Sequence, residues 1–318
     1  MGLEALWIMT RNVLVFVALA IPGFILVKTK LIKQEQSGVL SAILMYVGIP
    51  FLILNSMLNN VKFDVGTLGL MGSAAAVGIG YTLVMFFLSK PLTKMEKEEK
   101  TKGIMRFCMT FPNNGFLGIP LAMAVFGAGA KEVLVVIIIN IINNVSMYAF
   151  GVCLISRDRK SINLKKIFLN PALIAFALGV ILNLLKVKDY VPEVGTYTSH
   201  FSNMVTPVSM TVLGMKMGSV NFSGLLKSWR MYYVSLWKLV LFPMALVVGL
   251  FLLSQGWIAY SALMGMFIAF AMPTAGLAST FSDKFNGDTE NAVAFTLGTT
   301  LLSIVTIPLL YALLNVIL

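Results

Sequence analysis

Histidine occurs once in this chain, as His200, and cysteine twice, as Cys108 and Cys153. Both cysteines lie inside apolar runs with no C-x-x-C pairing, which excludes a disulfide framework or a thiolate metal site and leaves them as packing residues. The stretch "TYTSHFSNM" around His200 is loop-like and offers no second histidine or cysteine. Neither a zinc ligand set nor a Ser/His/Asp centre can be assembled from it, so His200 reads as a solvated or interfacial side chain. No catalytic residue, metal site or cofactor motif is therefore expected. Charge is also scarce. Asp, Glu, Lys and Arg make up 12% of the residues, against roughly 25% in soluble domains.

What fills the chain instead is apolar: 58% of its 318 residues are hydrophobic and the mean hydropathy is +0.89. The apolar runs form blocks near the roughly 20 residues that cross a bilayer core. Punctuation by charge and by Pro, Gly and Asn divides them into ten spans, at 11–28, 39–60, 66–89, 102–127, 132–155, 168–186, 199–219, 230–254, 256–282 and 289–317. These spans account for nearly the whole sequence, and an all-α integral membrane protein is the expectation. Ala18-Leu19-Ala20 imitates a signal-peptidase site, but Glu4 spoils a basic leader and the apolar run continues to Val27 before Lys28, Lys30 and Lys33 stop it. The first block reads as a retained span.

The formal charge of +11 has no separate basic domain behind it, which argues against nucleic acid as a partner. Lysine and arginine instead crowd the loops that follow odd-numbered spans, 18 of them including Arg159, Lys160, Lys166 and Lys216, against 5 on the other side. Positive loops stay in the cytoplasm. Both termini are accordingly expected outside a cytoplasmic (inner) membrane. No Asp or Glu falls in the middle of a span; Asp283, Asp288 and Glu290 fringe the loop after span nine. A buried carboxylate as proton carrier is not evident.

Span four contains "CMTFPNNGFLGIPLAMAVFG", with Pro112, Asn113, Asn114 and Gly115 at its centre, and span nine contains "FAMPTAGLAST", with Pro273, Thr274 and Gly276. Both read P-x-x-G. Pro50 in span two and Pro207 in span seven precede these prolines by 62 and 66 residues, so the chain looks like two five-span copies, 1–155 and 156–318. An odd number of spans per copy makes the second enter from the opposite side, which is an inverted repeat. Spans five and ten add polar stripes of helical spacing: Asn140, Asn143, Asn144 and Met147, and Thr296, Thr299, Thr300 and Ser303.

Pro112 lacks an N–H and obstructs the turn before it, while Gly115 permits angles closed to other residues, so span four should unwind between them. Unpaired N–H and C=O groups cost several kcal/mol in hydrocarbon and must line an enclosed or aqueous cavity. Two half-helices starting near Gly115 or Phe116 and near Gly276 would aim positive N-terminal ends at each other. With Asn113, Asn114 and Thr274 as neutral donors beside them, they make a site for a carboxylate.

"FPNNGFLGIPL", "WKLVLFP" in span eight and the terminal "LASTFSDKFNGDTENAVAFTLGTTLLSIVTIPLL" together resemble the auxin efflux carrier family, the PIN-like bacterial transporters often described as malonate or malate permeases. The resemblance covers nearly the full chain. It implies ten transmembrane helices in a five-plus-five inverted repeat with spans four and nine broken, a scaffold of spans 1, 2, 6 and 7, and a mobile transport domain of spans 3–5 and 8–10. It further implies elevator-like movement of an organic anion and a homodimer. Asn113 or Asn114 beside Pro112, and Pro273 with its neighbours, match the family's crossover contacts, and Asn144 resembles the family's span-five asparagine. The short "SRDRKSINLKK" stands where plant relatives carry a large cytoplasmic loop.

Lys238 lies eight residues past Arg230, about 12 Å into span eight. Two roles are open to it: a packed lysine bonded to backbone carbonyls, or a charge that assists an anion or neutralises the negative ends of half-helices. Na⁺ or H⁺ as coupling ion stays open, as do import and export. Two further readings are a cation-coupled carrier similar to bile-acid symporters, for which acidic residues at the crossing are missing, and a membrane sensor that binds a ligand without moving it.

Overall fold

A computed structural model describes residues 2–158, 165, 168–218, 227–254 and 258–317. The basic residues Arg159, Lys160 and Lys166 lie outside the described residues. The described chain is helical apart from its connections and one isolated antiparallel bridge. In order come α1 (Gly2–Lys28), α2 (Ser37–Ile43, continued by Leu44–Gly48 and Ile49–Asn60) and α3 (Val65–Leu92). Next are α4 (Glu99–Thr110), α5 (Asn114–Gly118 continued by Ile119–Phe126) and α6 (Lys131–Ser146, continued by Met147–Gly151 and Val152–Ser156). The second half holds α7 (Pro171–Leu184), α8 (Glu193–Asn203), α9 (Val205–Gly218) and α10 (Trp229–Leu236, continued by Trp237–Leu241 and Phe242–Ser254). It closes with α11 (Tyr260–Ala271), α12 (Leu277–Lys284) and α13 (Thr289–Ile317). His200, assigned to a loop by sequence, is an exposed residue of α8.

Six of these helical stretches, in α1, α2, α3, α6, α10 and α13, are long and apolar enough to cross a membrane. Three shorter apolar helices accompany them: Asn114–Phe126, Pro171–Leu184 and Tyr260–Ala271. The outward faces are greasy. Leu14 and Ile21 on α1, Val84 and Phe87 on α3, and Val305 and Leu309 on α13 are all exposed, a surface that suits lipid rather than water. At the centre α6 packs against α11, and residues Val133–Ile139 and Leu263–Ala271 are buried throughout. A carboxylate starts α3: Asp64 accepts the Thr67 amide at 2.6 Å as N-cap, and that hydrogen bond holds its carboxyl below the usual range.

Three helices widen into a π turn just before an Ile-Pro or Phe-Pro step, at Leu44–Gly48 before Pro50, Asn114–Gly118 before Pro120 and Trp237–Leu241 before Pro243. A proline ring collides with the carbonyl four residues earlier in an α-helix. In each case that carbonyl belongs to the π turn (Tyr46, Phe116, Leu239), whose looser winding makes room.

Glycine sets the closest helix contact. A Cβ on Gly214 of α9 would lie 1.8 Å from the Ala20 carbonyl oxygen of α1, and one on Gly23 of α1 would lie 2.0 Å from the Thr211 oxygen. In lipid, where apolar surface gains nothing by leaving its solvent, such backbone-to-backbone packing is what holds helices together. Gly214→Ala should therefore lower stability by about 1 to 3 kcal/mol or more, whereas Gly249→Ala, with nothing within 4 Å of its added methyl, should leave it unchanged. Thermal unfolding of the two variants in detergent checks the contrast.

Candidate functional site

Helix α4 stops at Thr110 and α11 stops at Ala271, each two residues before a proline. The residue preceding a proline is driven from the helical region into extended backbone. Phe111 (φ −102°, ψ 112°) and Met272 (φ −62°, ψ 145°) both obey. The two extended pieces then pair as the antiparallel bridge of Pro112 with Thr274. The Asn113 N–H donates to the Pro273 oxygen at 2.8 Å, and the Ala275 N–H donates to the Phe111 oxygen at 2.9 Å.

Side chains from neighbouring helices complete the pairing. Asn143 Nδ2 donates to the Pro112 oxygen at 3.0 Å, Thr274 Oγ1 donates to the Cys108 oxygen at 3.1 Å, and Thr299 Oγ1 accepts the Thr274 N–H at 3.1 Å. This corrects one expectation. The breaks were expected to leave their backbone groups lining an enclosed or aqueous cavity, but several of those groups are instead paired across the crossing, by the two backbone bonds and by the side chains of Asn143, Thr274 and Thr299.

What the pairing leaves over is a cavity of about 50 Å³ lined by Pro112, Asn113, Asn114, Gly115, Asn140, Asn143, Asn144 and Gly276, with Met45, Ile49, Phe116, Met147, Ala275 and Leu277. It exceeds the roughly 10–15 Å³ that a single water needs. Both half-helix starts touch it, α5 at Asn114 and α12 at Leu277, and neither carries a side-chain cap. The first N–H groups of each helix have no partner within it, so the positive ends of two helices meet at one cavity. Asn114 is wholly buried, with neither its Oδ1 nor its Nδ2 hydrogen-bonded, and Asn140 Nδ2 is in the same condition. Asn144 turns back along α6, donating to the Asn140 oxygen at 2.9 Å. Gly115 is what keeps the space open: a Cβ there would come within 3.0 Å of Ile49 and 3.4 Å of Asn140 Oδ1.

The remaining candidates lie elsewhere. Thr274 is fully buried and serves the crossing itself. Pro273 contributes its carbonyl to the bridge. Thr300 lines an adjoining cavity of about 30 Å³ rather than the central one, and its hydroxyl donates to the Thr296 oxygen of its own helix. The same back-bonding occupies Thr296 and Ser303. Only Thr299 in that stripe reaches another segment, which periodicity could not distinguish. Lys238 does not line the central cavity. It is wholly buried in the π turn of α10, its Nζ 3.4 Å from Tyr81 Oη and 3.5 Å from the Phe270 oxygen. Phe270 belongs to the last turn of α11, so the ammonium sits at the negative end of that half-helix.

One residue escaped the sequence reading. Lys216, counted with the basic loops, lies inside α9, half-buried, and lines both the 30 Å³ cavity and a much larger one of about 810 Å³. The large cavity carries Glu35, Tyr46, Asn144, Tyr148, Lys165, Asp283 and Lys284 on its wall, and it shares Asn144 with the crossing. The clue available beforehand was position: Lys216 stands in "VLGMKMG", within span seven rather than after it.

If the Thr299 hydroxyl holds the crossing together, Thr299→Val should cost about 1 to 3 kcal/mol of stability by leaving the buried Thr274 N–H without an acceptor. Thr300→Val, which removes a bond within one helix, should cost less. Thermal unfolding of both variants gives the comparison, and equal losses would deny Thr299 its role.

A family model described as membrane transport protein matches residues 7–165 and 159–311. A chain of Methanothermobacter thermautotrophicus described as an uncharacterized transporter is 26% identical over 304 residues, which cover 94% of the present chain and 96% of the relative. The family is one of transporters rather than enzymes, and its substrates cross a bilayer. Matched over almost its full length, the chain belongs to the membrane transport protein family, that of the auxin efflux carriers, and is a multi-pass membrane protein.

Proposed function

We propose that the protein is a secondary transporter of small organic anions, mono- or dicarboxylates, which it carries across the cytoplasmic membrane by an elevator-like movement. The observation that carries this reading is the buried Asn114 amide, unpartnered at both atoms, at a cavity where two uncapped helix N-termini meet. An amide left in that condition costs about 1 to 3 kcal/mol per missing bond, part of which a ligand that accepts from Asn114 Nδ2 offsets. The lining contains no Asp or Glu, and two positive helix ends face it. A carboxylate meets both conditions.

The proposal takes spans one to ten as a five-plus-five inverted repeat with both termini outside. Support comes from the pairing of two broken segments, one from each half of the sequence, and from the lysines of the large cavity. Lys165 and Lys284 belong to the loops that the charge asymmetry assigns to the cytoplasm, so the 810 Å³ cavity is the cytoplasmic approach to the crossing. Packing supports the two bodies: α1, α2 and α7–α9 contact one another as a scaffold, with the glycine seam between α1 and α9, while α6 and α11 lie at the heart of the rest. Sliding the second body past the first would carry the anion from one face to the other while the crossing stays intact. The homodimer implied by the sequence resemblance belongs to the same proposal.

Asn113 and Asn114 are the residues to test. Replacing both with Ala should weaken carboxylate binding by about 1 to 3 kcal/mol while leaving the fold intact. Uptake of labelled malonate and malate into proteoliposomes, with and without imposed Na⁺ and H⁺ gradients, measures the flux and names its driving ion. Binding with no flux under any gradient would mark the protein as a sensor instead.

A further inference from the structure

A further cavity, of about 270 Å³, lies away from the crossing between four helices: α1 (Val17, Phe24), α5 (Leu121), α9 (Leu213) and α13 (Leu301, Ile304). Two hydroxyls reach its wall, those of Thr300 and Ser303, and each donates to a carbonyl of α13 itself at 2.7 Å. With those hydrogens spent within the helix, the wall behaves as hydrocarbon. The space is well above the roughly 150 Å³ of a dry apolar cavity that takes up benzene. On its outer side stands Ile21, half exposed on the face that α1 turns to lipid. Atoms lining a void forfeit their dispersion contacts, and the solvent at hand to restore them is acyl chain.

Charge defines which lipid fits. The α1 wall of the slot is one helical stripe, Val13, Val17, Ala20 and Phe24, and the next position on that stripe is Lys28, in the last turn of the helix. Lys28 is exposed, as are Lys30 and Lys33 just beyond it. Val17 stands eleven residues before Lys28, about 16 Å along the helix axis, which matches half of a roughly 30 Å hydrocarbon core. An ammonium above an apolar slot one leaflet deep complements a molecule with an anionic head and a hydrocarbon tail.

We infer that this slot is a binding site for an anionic phospholipid, whose phosphate meets Lys28 and whose acyl chain lies between α1 and α9 on one side and α5 and α13 on the other. The charge asymmetry of the loops assigns Lys28 to the cytoplasmic face, the leaflet in which anionic headgroups attract basic residues. A zwitterionic lipid brings the same chain without the net charge, so the slot supplies affinity for the chain and Lys28 the preference among headgroups. Under the proposed elevator, on which this one consequence rests, the chain touches both bodies and must be displaced when they slide, so lipid occupancy sets the ease of movement. The site itself requires no such movement.

The experiment compares purified wild type with Lys28→Gln, Val17→Phe and, as a control lysine from the other membrane side, Lys62→Gln. Each is mixed in detergent with dioleoyl phosphatidylglycerol or dioleoyl phosphatidylcholine, native mass spectrometry reads the lipid retained and the oligomeric state, and the lipid-free melting temperature shows that each variant is folded. Wild type and Lys62→Gln should both retain phosphatidylglycerol in preference. Lys28→Gln should weaken binding of the anionic lipid about fivefold and leave phosphatidylcholine unchanged. Val17→Phe, whose ring takes the place of about two methylenes of the chain, should weaken both lipids about tenfold. Leu301→Phe, from the opposite wall, makes the same test should Val17→Phe fail to fold. A folded slot-filling variant that retains both lipids as wild type does overturns the inference, as does a Lys28→Gln that keeps the full headgroup preference or a wild type that retains neither lipid. A dimer lost in Val17→Phe with lipid binding unchanged gives the slot to a second copy of the chain, and decanoate bound there in place of phospholipid gives it to a substrate's tail; either result overturns the inference. All these readings are of lipid at α1, so they stand apart from carboxylate uptake, which tests the crossing.

Discussion

A polypeptide that unwinds inside hydrocarbon must find partners for every amide and carbonyl it frees, and this constraint organises the whole protein. No water is available at that depth, and each orphan group is worth several kcal/mol. Here the debt of one break is met by another. Pro112 and Pro273 each force extended backbone upstream of them, and extended backbone presents its donors and acceptors in the alternation that a second extended piece can match. Asn143, Thr274 and Thr299 take up what the bridge cannot reach. A single broken helix at this place would have no such remedy, which is a physical reason for the motif to occur twice.

The crossing leaves a remainder, and the proposed site is that remainder. Helix starts are harder to satisfy than extended backbone, because their N–H groups all point the same way, along the axis. At α5 and α12 the cap residues, Asn113 and Gly276, accept no amide through a side chain. Asn114 is buried beside them without a partner for either amide atom. Asp64, Asn170 and Ser228 each accept an amide at the start of α3, α7 and α10, while α4, α6, α8 and α11 also begin without a side-chain cap. What sets the central cavity apart is that two uncapped helix starts meet there beside an amide with no partner.

Lysine shows how placement decides chemistry. Lys238 and Lys216 both fall within apolar spans, yet one ends against the Phe270 carbonyl and Tyr81 at the negative end of a half-helix, and the other against the positive end of a different one. The first completes a local charge balance. The second stands near the start of α12, beside Gly276. Counting charges along the chain cannot separate these cases, because the distinction lies in which helix terminus each ammonium meets.

Much of this was legible in advance. Helix boundaries follow from apolar runs and their punctuation, and the break positions follow from proline and glycine, whose effects are covalent and local. The stripe of Asn140, Asn143 and Asn144 followed from helical spacing, and all three line the central cavity. Other features needed the third dimension. That Thr299 rather than Thr300 touches the crossing depends on how α13 is rotated against the loop before α12, a choice made by packing. The mutual satisfaction of the two breaks, the exclusion of Lys238 from the cavity and the approach of Lys216 to Gly276 all join residues more than 30 positions apart in the chain. Sequence by itself determined where the backbone could not stay helical, because that is a property of single residues and their immediate neighbours. Tertiary structure alone decided which freed groups found partners and which did not, because pairing is a property of segments that meet only after folding.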